Sequence, residues 1–447
     1  MKDRRIPLTV SAILISALWS MIGHAEPGPI AFKPRLQQVI DAHYDEVDAL
    51  YRDIHEHPEL AFQETRTAAL LASALRSRGF EVTEQVGKTG VVAMLRNGEG
   101  PTILVRTELD ALPMAEKTGL PYASRQLRDW EGEQTPVAHS CGHDIHMSVW
   151  VEVATALAEL RDLWHGTLMF VAQPAEENDS GAEAMLKDGL YTRFGRPDHA
   201  VALHTGPFGY GMVGYRAGPI MSAEDTLRIV FKGRGGHGSS PHSAIDPVLI
   251  ASRFVVDVQS LVSREMDPSA FGVVTIGAIH GGSAGNIIPD EVTLRGTIRS
   301  YSPEVGRKLT TGVRRVAMAE AALSAAPDPD LSITHDTDAL VNDAASMQRA
   351  ASVLQAAFGR GAFEMAPVPA SEDFTRYGEQ GVPLTYFFIG VYEPDRFLSA
   401  MKAGESLPSN HSPQFAPVPK PTIETGALAM SLVVLEFLQG SPPGQSQ

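Results

Sequence analysis

The chain of 447 residues contains one cysteine, Cys141, and fewer cations than anions. A single cysteine excludes an internal disulfide. There are 37 lysine and arginine residues against 53 aspartate and glutamate residues, and the net charge is −16. Phosphate groups are repelled by such a surface, so we expect no nucleic acid as a partner. A hydrophobic content of 43% predicts a globular protein with a large core, and the length favours about two or three domains.

The N-terminus has the pattern of a secretory signal peptide. Basic residues precede an apolar run over residues 6–22, and Gly23-His24-Ala25 forms a small-x-small cleavage site. We therefore predict that residues 1–25 are a signal peptide and that the mature protein is periplasmic or secreted. The alternative is an uncleaved membrane anchor, which the shortness of the run disfavours. We expect no later segment to span a membrane.

Export gives the lone thiol of Cys141 a particular significance. A free thiol in an oxidising compartment is prone to oxidation unless it is buried or bound to a metal. The sequence thus predicts protection of Cys141 by one of these two means.

Short apolar runs alternate with helical patterns over most of the chain. The runs predicted as buried strands are 103–105, 168–171, 201–203 and 384–389, and a helix is predicted over 145–160. This alternation favours an α/β fold with a doubly wound, mostly parallel sheet. We assign it to residues 26–222 and 337–439, closed by an amphipathic helix over 424–438.

Residues 223–336 have a different pattern. They predict the order β-α-β-β-α-β, which is a ferredoxin-like unit inserted into the larger domain. Its predicted elements are 226–232, 246–265, 272–280, 291–300, 303–323 and 331–335. The polar segment 440–447 is predicted to be a disordered tail.

Potential metal ligands cluster around the predicted strand ends. Cys141 and His143 precede a helix, whereas Glu176, Glu177 and His204 follow strands. Each of these residues, taken alone, can be explained without a metal: the cysteine as a buried core residue, and the glutamates as solvated residues at a helix start. In a doubly wound sheet, however, ligands bind outside the carboxyl ends of the strands, so we expect these side chains to meet there.

The number of these residues favours two metal ions. With His411, which lies in a loop before the last helix, Cys141, His143, Glu177 and His204 make five ligands. Five are more than one tetrahedral zinc needs, and they suit two ions with a bridging ligand, for which Cys141 is a candidate. Such a pair activates water toward an amide carbonyl, and the adjacent Glu176 is our candidate general base. Zn, Mn, Co and Ni are all compatible with this set.

The predicted inserted unit offers three further candidates. Residues 233–238 match G-x-G-x-x-G, but they lie in a ferredoxin-like unit and the helix begins only near residue 246. We therefore interpret them as a glycine loop that presents His237. Asn286 is a candidate for anion binding, and Arg299 is either a carboxylate-binding residue or an ordinary surface residue of a strand.

At these residues the chain resembles the dinuclear-metal aminoacylase and carboxypeptidase superfamily. The similarity is greatest to the branch of N-acyl-amino-acid amidohydrolases, hippurate hydrolases and auxin–amino-acid conjugate hydrolases. The matching segments span about residues 52–415 and are 52–60, 109–113, 141–146, 173–177, 235–237 with Asn286, 371–374 and 411–413.

The resemblance implies an N-acyl amino acid or short peptide as substrate, two divalent metal ions, and an inserted domain that covers the site and forms homodimers. It implies that the metal ligands are Cys141, His143, Glu177, His204 and His411, with Glu176 as general base. It further implies that His237 binds substrate or stabilises the oxyanion, within one chain or across a dimer, and that Asn286 contacts substrate.

Three positions fit the resemblance less directly. Glu108 stands where the family more often has aspartate. This difference weighs against carrying over to Glu108 any role that the family's residue has in supporting the metal ligands. His55 and His57 have the spacing of a metal pair, but we interpret them as residues that pack at a helix end.

Two other functions are compatible with the residues alone. In a Cys–His hydrolase, Cys141 is the nucleophile and His143 the base, which leaves Glu177, His204 and His411 without a role. A binding protein with the same fold needs no general base, so the presence of Glu176 disfavours it. Sensitivity to chelators distinguishes the first alternative, and a Glu176→Ala variant distinguishes the second.

Overall fold

The computed structural model describes residues 28–439. The predicted signal peptide, residues 1–25, and the predicted tail, residues 440–447, lie outside this range. Within it the strands are, in chain order, β1 Glu81–Val86, β2 Gly90–Asn97, β3 Thr102–Glu108, β4 Leu127–Trp130, β5 Glu133–Pro136, β6 Gly166–Gln173, β7 His199–Gly209, β8 Val213–Tyr215, β9 Gly218–Met221, β10 Ala223–Lys232, β11 Gly236–His237, β12 Gly272–His280, β13 Ile287–Ile288, β14 Glu291–Ser300, β15 Asp330–Thr337, β16 Leu340–Asn342, β17 Ala362–Glu364 and β18 Leu384–Tyr392. The helices are α1 Lys33–Glu56, α2 Thr65–Ser77, α3 His143–Glu159, α4 Gly181–Lys187, α5 Leu190–Phe194, α6 Pro247–Asp257, α7 Pro303–Leu323, α8 Ala344–Phe358, α9 Pro394–Ala403 and α10 Pro419–Leu438.

A large mixed sheet forms the centre of the molecule. Its strand order is β1-β2-β6-β3-β7-β18-β8-β17. The pairs β6–β3, β3–β7, β7–β18 and β8–β17 are parallel, whereas the pairs β1–β2, β2–β6 and β18–β8 are antiparallel. This confirms the predicted α/β class with a mostly parallel sheet.

Both faces of this sheet are covered because its strands are apolar at successive positions. Ile103 and Val105 pack into the core on the side of α1, α3 and α10, whereas Leu104 between them packs into the core on the opposite side. Successive side chains of a strand point to opposite faces, so a continuous apolar run requires helices on both sides.

The C-terminal helix corrects two predictions. Helix α10 begins at Pro419 and is buried on nearly all faces, with 83% of its most apolar window inside the protein, so it is not amphipathic. By length and composition it could cross a membrane, which contradicts our expectation that no later segment is long and apolar enough. The core helix of a soluble protein meets the same criteria.

Residues 223–337 form a second sheet with a separate core, which we call the inserted unit. Its antiparallel strand order is β12-β14-β10-β15, and α6 and α7 pack on the sheet. The succession β10-α6-β12-β14-α7-β15 is the predicted β-α-β-β-α-β order. Helix α6 ends at Asp257, earlier than predicted, and is followed by a π-helical turn, Leu261–Glu265. The domain boundaries and the dimerising role of this unit stay predictions.

Candidate metal centre and active site

A cleft of about 750 Å³ opens between the carboxyl ends of the central strands and the inserted unit. Its walls carry Cys141, Glu176, Glu177, His204 and His411 from the large domain. Glu224, Thr226, Arg299 and Asp336 line it from the inserted unit. The cleft therefore lies where the switch in strand order of an α/β sheet predicts a binding site.

Two groups of potential metal ligands meet in this cleft and share one residue. The ligand atoms of Cys141, His143 and His204 lie within 4.8 Å of one another, and so do those of Cys141, Glu177 and His411. The Cys141 sulfur lies 3.4 Å from His204 Nε2. Two groups with a common cysteine are the arrangement expected of two ions that share a bridging ligand.

The backbone fixes which nitrogen of each buried histidine faces the cluster. His143 Nδ1 donates to the carbonyl of Asp110 at 2.8 Å, and His204 Nδ1 donates to the carbonyl of Thr205 at 2.8 Å. Each Nε2 thus keeps its lone pair for a ligand, as is usual for metal-binding histidines. Burial, with smaller contributions from neighbouring groups, lowers the pKa of His143 well below its ordinary value and that of His204 to about 3.

Unpaired polar atoms at the centre fit a bound cation. His143 Nε2 and Glu177 Oε1 are buried and have no hydrogen-bond partner, and they lie 3.9 Å apart. An unpaired buried polar group costs about 1–3 kcal/mol, so two such atoms side by side indicate that something else satisfies them. Imidazole and carboxylate are both ligands of divalent transition metals. The ligand role of these residues stays a prediction.

The surroundings of Cys141 disfavour a nucleophilic thiolate. Burial raises the pKa of its thiol well above the ordinary value, and the carboxylates of Glu177 and Glu176 raise it further. His204, the imidazole in contact with the sulfur, has a depressed pKa. The pair is therefore neutral, unlike the thiolate–imidazolium pair of a cysteine hydrolase.

The segment that carries Glu176 and Glu177 has an unusual backbone, and two acidic residues hold it in place. Ala175 has φ 49°, a left-handed conformation that is costly for a residue with a Cβ. Its N–H donates to Glu64 Oε1 at 2.8 Å. The N–H groups of Glu176 and Glu177 donate to the two oxygens of Asp110, at 3.1 and 3.0 Å.

Helix α3 begins next to the cluster because Gly142 adopts a left-handed conformation. Its φ is 95°, and a Cβ there would lie 2.5 Å from the Thr205 hydroxyl. Only glycine fits this position, which places Cys141 and His143 on either side of the helix start.

A second loop brings His411 to the cluster. His411 has φ 66°, and its N–H donates to the carbonyl of Ser140 at 2.8 Å. Asn410 donates its side-chain amide to the carbonyl of Cys141 at 2.6 Å. His411 Nε2 lies 3.2 Å from Glu177 Oε2, and this hydrogen bond raises the pKa of His411.

Glu176 lies between the cluster and a buried network of charges. One oxygen each from Glu176, Glu372 and Asp373 lies within 4.8 Å of the others. Burial raises the pKa of Glu176 well above its ordinary value, and Glu372 and Glu177 raise it further. Arg106 donates to Glu372 at 2.7 Å and to Asp373 at 3.1 Å, with no side chain of the three exposed.

The Glu108 carboxylate lies near the cluster and contacts both Arg106 and His146. Its Oε2 lies 3.0 Å from His146 Nδ1, and Arg106 donates to Oε1. His146 Nε2 accepts from the N–H of Thr205 at 2.9 Å. Both nitrogens of His146 are therefore occupied, which explains why this histidine, close as it is, is not among our metal ligands. Burial alone would raise the pKa of Glu108, but Arg106 and His146 lower it below its ordinary value.

The three substrate-side candidates separate in the structure. Arg299 lines the cleft, where it pairs with Glu224 at 2.7 Å. His237 and Asn286 are exposed on neighbouring segments of the inserted unit, and within residues 28–439 they are not part of the cleft wall. A single chain thus does not bring them to the metal ligands.

The two early histidines also differ from each other. His57 directly follows α1, and its Nδ1 donates to the carbonyl of Asp53 at 2.8 Å, in keeping with the helix-end interpretation. His55 is buried and contacts Asp144 and Glu116, so packing at a helix end is an incomplete description of it.

Sequence reasoning missed the supporting residues Asp110, Glu64 and Arg106. Asp110 could have been found, because it lies two residues after the end of β3, at the edge where the candidate ligands meet. Glu64 and Arg106 gave no comparable signal.

The comparisons with known proteins agree with this geometry. Residues 104–403 match the family described as Peptidase family M20/M25/M40. A hippurate hydrolase of Campylobacter jejuni is 39% identical over 335 residues, which are 74% of this chain and 84% of that protein. Thermostable carboxypeptidase 1 of Saccharolobus solfataricus is 33% identical, over 88% of this chain and 95% of that protein.

A solved structure adds to these sequence relatives. A Bacillus subtilis protein described as a dinuclear metal binding peptidase from the M20 family superposes with a TM-score of 0.73 and 27% identity, covering 90% of this chain and 100% of that one. The family match and the relatives show a hydrolase of amide or peptide bonds. The chain belongs to Peptidase family M20/M25/M40.

Proposed function

We propose that this protein hydrolyses the amide bond of an N-acyl amino acid or a short peptide with the help of two divalent metal ions. The proposed ligands are Cys141, His143, Glu177, His204 and His411. The observation that carries the proposal is the meeting of two ligand groups with Cys141 in common. The description of the Bacillus subtilis neighbour as a dinuclear metal binding peptidase supports it.

The donor set limits the metal without selecting one. One thiolate, three imidazoles and one carboxylate are compatible with Zn, Mn, Co or Ni. When bound, two such ions polarise the amide carbonyl and lower the pKa of water from about 15.7 toward about 7.

In this proposal Glu176 takes a proton from water and gives it to the leaving nitrogen. The raised pKa of its carboxyl group suits a base that must hold a proton between these two transfers. Glu177 is engaged differently, because its Oε2 contacts His411 and its Oε1 faces His143. Adjacent residues thus serve as ligand and as base.

The cleft wall gives the substrate carboxylate one partner. Among the described residues, Arg299 is the only lysine or arginine that lines the cleft. Its guanidinium can form paired hydrogen bonds with a carboxylate. In this proposal the substrate carboxylate replaces Glu224 as the partner of Arg299. Met221, Val368 and Phe388 form an apolar wall for an acyl group.

We also propose that the protein is exported and that it dimerises through the inserted unit. The signal-peptide pattern of residues 1–25 supports export. The exposed positions of His237 and Asn286, away from the cleft of the same chain, support a dimer in which these residues reach the cleft of the partner.

The test is a panel of N-acyl amino acids and dipeptides assayed before chelation, after chelation, and after addition of defined metals. We expect release of a free amino acid that is lost on chelation and restored by a divalent ion. Glu176→Gln should lower kcat by about 10²–10⁴-fold. The control is Glu183→Gln, which removes an exposed carboxylate on α4 and should leave kcat unchanged.

The same experiment tests the two alternatives. Full activity of the chelated protein together with inactivation of Cys141→Ser would support the cysteine hydrolase and contradict our proposal. A protein that binds substrate and metal but releases no amino acid from any compound would support the binding protein instead.

A further inference from the structure

His55 lies outside the metal ligands, yet both of its ring nitrogens contact buried carboxylates. Nδ1 donates to Asp144 Oδ2 at 2.6 Å, and Nε2 donates to Glu116 Oε1 at 3.2 Å. The three side chains are at most 3% exposed. A neutral imidazole has only one N–H, so two such contacts require the imidazolium form.

The charges around His55 favour this form. Burial alone would lower the pKa of His55, but Asp144 and Glu116 raise it to about 10. Tyr122 packs edge-on against the ring at 5.1 Å, which shields the ion pair from water. His55 is therefore a fixed cation in the interior.

The contact of His55 with Asp144 connects it to the segment of Cys141 and His143. Asp144 is the second residue of α3 and directly follows His143. Its Oδ1 accepts from the N–H of Ile145 at 3.0 Å, so the carboxylate is held by the helix start on one side and by His55 on the other. A shift of Asp144 moves the residue before it.

The contact of His55 with Glu116 connects it to the loop of His411. Glu116 Oε2 accepts from the N–H of Ser124 at 2.6 Å, which fixes the loop that contains Glu116. The next residue, Lys117, donates its N–H to the carbonyl of Pro413 at 2.7 Å. This is the segment that presents His411, two residues earlier in the chain.

We propose that His55 is a positioning residue for the metal centre: it joins the segment of Cys141 and His143 to the loop that holds His411. The inference rests on the proposed function, since it assigns these three residues to the metals. His55 touches neither metal ligands nor the cleft, and it acts through Asp144 and Glu116.

The experiment compares His55→Gln with His57→Gln in the full-length protein. Zn²⁺ affinity is measured by competition with a chromophoric chelator, and folding is measured by thermal melting of the apo-protein. We expect His55→Gln to bind Zn²⁺ about 10–100-fold more weakly, the range found when groups that orient metal ligands are removed. His57 contacts only the end of α1, so His57→Gln should bind as the parent does.

Two further measurements separate positioning from a purely structural role. Excess Zn²⁺ should restore most of the kcat of His55→Gln, and amide exchange in residues 409–412 should be faster than in the parent. A structural role alone would lower the melting temperature and leave the Zn²⁺ affinity of the folded protein unchanged.

Either of two variants can overturn the proposal. Folded His55→Gln with a Zn²⁺ affinity within about twofold of the parent, less than half a kcal/mol, contradicts it. If His55→Gln does not fold, Glu116→Gln decides, because it keeps the pair of His55 with Asp144 and changes the contacts on the side that leads to His411. It should lower Zn²⁺ affinity in the same direction, and an unchanged affinity overturns the proposal. A parent protein that binds no metal would contradict the proposed function instead.

Discussion

The large domain and the inserted unit differ in what they bury. Around the central sheet, Arg106, Glu108, Glu372 and Asp373 are charged and at most 1% exposed in their side chains. The core of the inserted unit is apolar, and Glu320 and Asp225 are its only buried charged residues among those described. The large domain, which carries the proposed ligands, thus retains costly buried charges, whereas the inserted unit is built almost entirely from apolar contacts.

This difference matches a division of tasks. The buried carboxylate of Asp110 accepts from the N–H groups of Glu176 and Glu177, and its backbone carbonyl accepts from His143 Nδ1, so these segments are held in defined positions. The inserted unit supplies a wall of the cleft, for which a stable sheet is sufficient. Five changes test the comparison.

The largest effect is expected for Arg106→Met. This change leaves Glu108, Glu372 and Asp373 buried without their cation, and loss of one partner of a buried ion pair costs about 3–5 kcal/mol. Denaturant unfolding should show this loss, and Zn²⁺ affinity should fall as well. Arg228→Met, at an exposed position of β10, is the control and should change stability by no more than about 0.5 kcal/mol. Equal effects of both changes would end the comparison.

Leu294→Ala probes the inserted unit. Leu294 is fully buried on β14, and such truncations cost about 2–5 kcal/mol. Unlike Arg106→Met, this change should leave Zn²⁺ affinity unchanged, because no contact of Leu294 reaches the ligands. A decrease in affinity would show that the two cores are coupled.

Glu152→Gln tests a single buried carboxyl group on α3. Glu152 is 1% exposed, its oxygens have no partner, and burial raises its pKa from 4.5 to about 8. The folded protein therefore favours the neutral acid, and the parent loses stability relative to the variant as pH rises from 4.5 to 8, by up to about 1.4 kcal/mol per pH unit. Above pH 8 the difference should become constant.

Glu320 is the matched position in the inserted unit. It is 7% exposed, and burial, with a contribution from Asp257, raises its pKa. Unfolding curves of Glu320→Gln from pH 4 to pH 9 should show a difference of the same sign with a shallower slope. A steeper slope than that of Glu152→Gln would contradict the comparison.

The smallest effect is expected for Lys232→Ala on the surface of the inserted unit. Lys232 pairs with Asp330 at 2.7 Å, and both side chains are substantially exposed. Such pairs contribute about 0–1 kcal/mol and are screened by salt. The measured loss should disappear at 1 M salt, and a persistent loss would indicate a role beyond the ion pair.

The same difference determined what could be predicted from the sequence. Strands β12 and β14 and helix α7 begin and end at the predicted residues, because their alternation and caps are local signals. In the large domain the sequence predicts the buried strands but not β1 and β2, and its prediction that the last helix is amphipathic is wrong for α10. A helix that is apolar all round carries no periodicity from which to infer its packing.

For the candidate site too, local signals in the sequence allow predictions, whereas contacts between distant residues do not. Glu177 and His204 are predicted from strand ends, Cys141 and His143 from a helix start, and His411 from a loop before the last helix. The structure brings these candidate ligands together in two groups that share Cys141. The contact of Arg106 with Glu372 joins residues 266 positions apart, and no local pattern records such a contact. The predicted contact of His237 and Asn286 with substrate requires a second chain and stays a prediction.

The buried position of α10 also has a consequence for the order of events during synthesis. This helix packs against α1 and α3, which are made much earlier, and it fills the middle of one face of the sheet. That face stays open until residue 438 has been added, whereas the inserted unit is complete about a hundred residues sooner. A nascent chain therefore carries a finished inserted unit beside an exposed apolar surface until α10 is added.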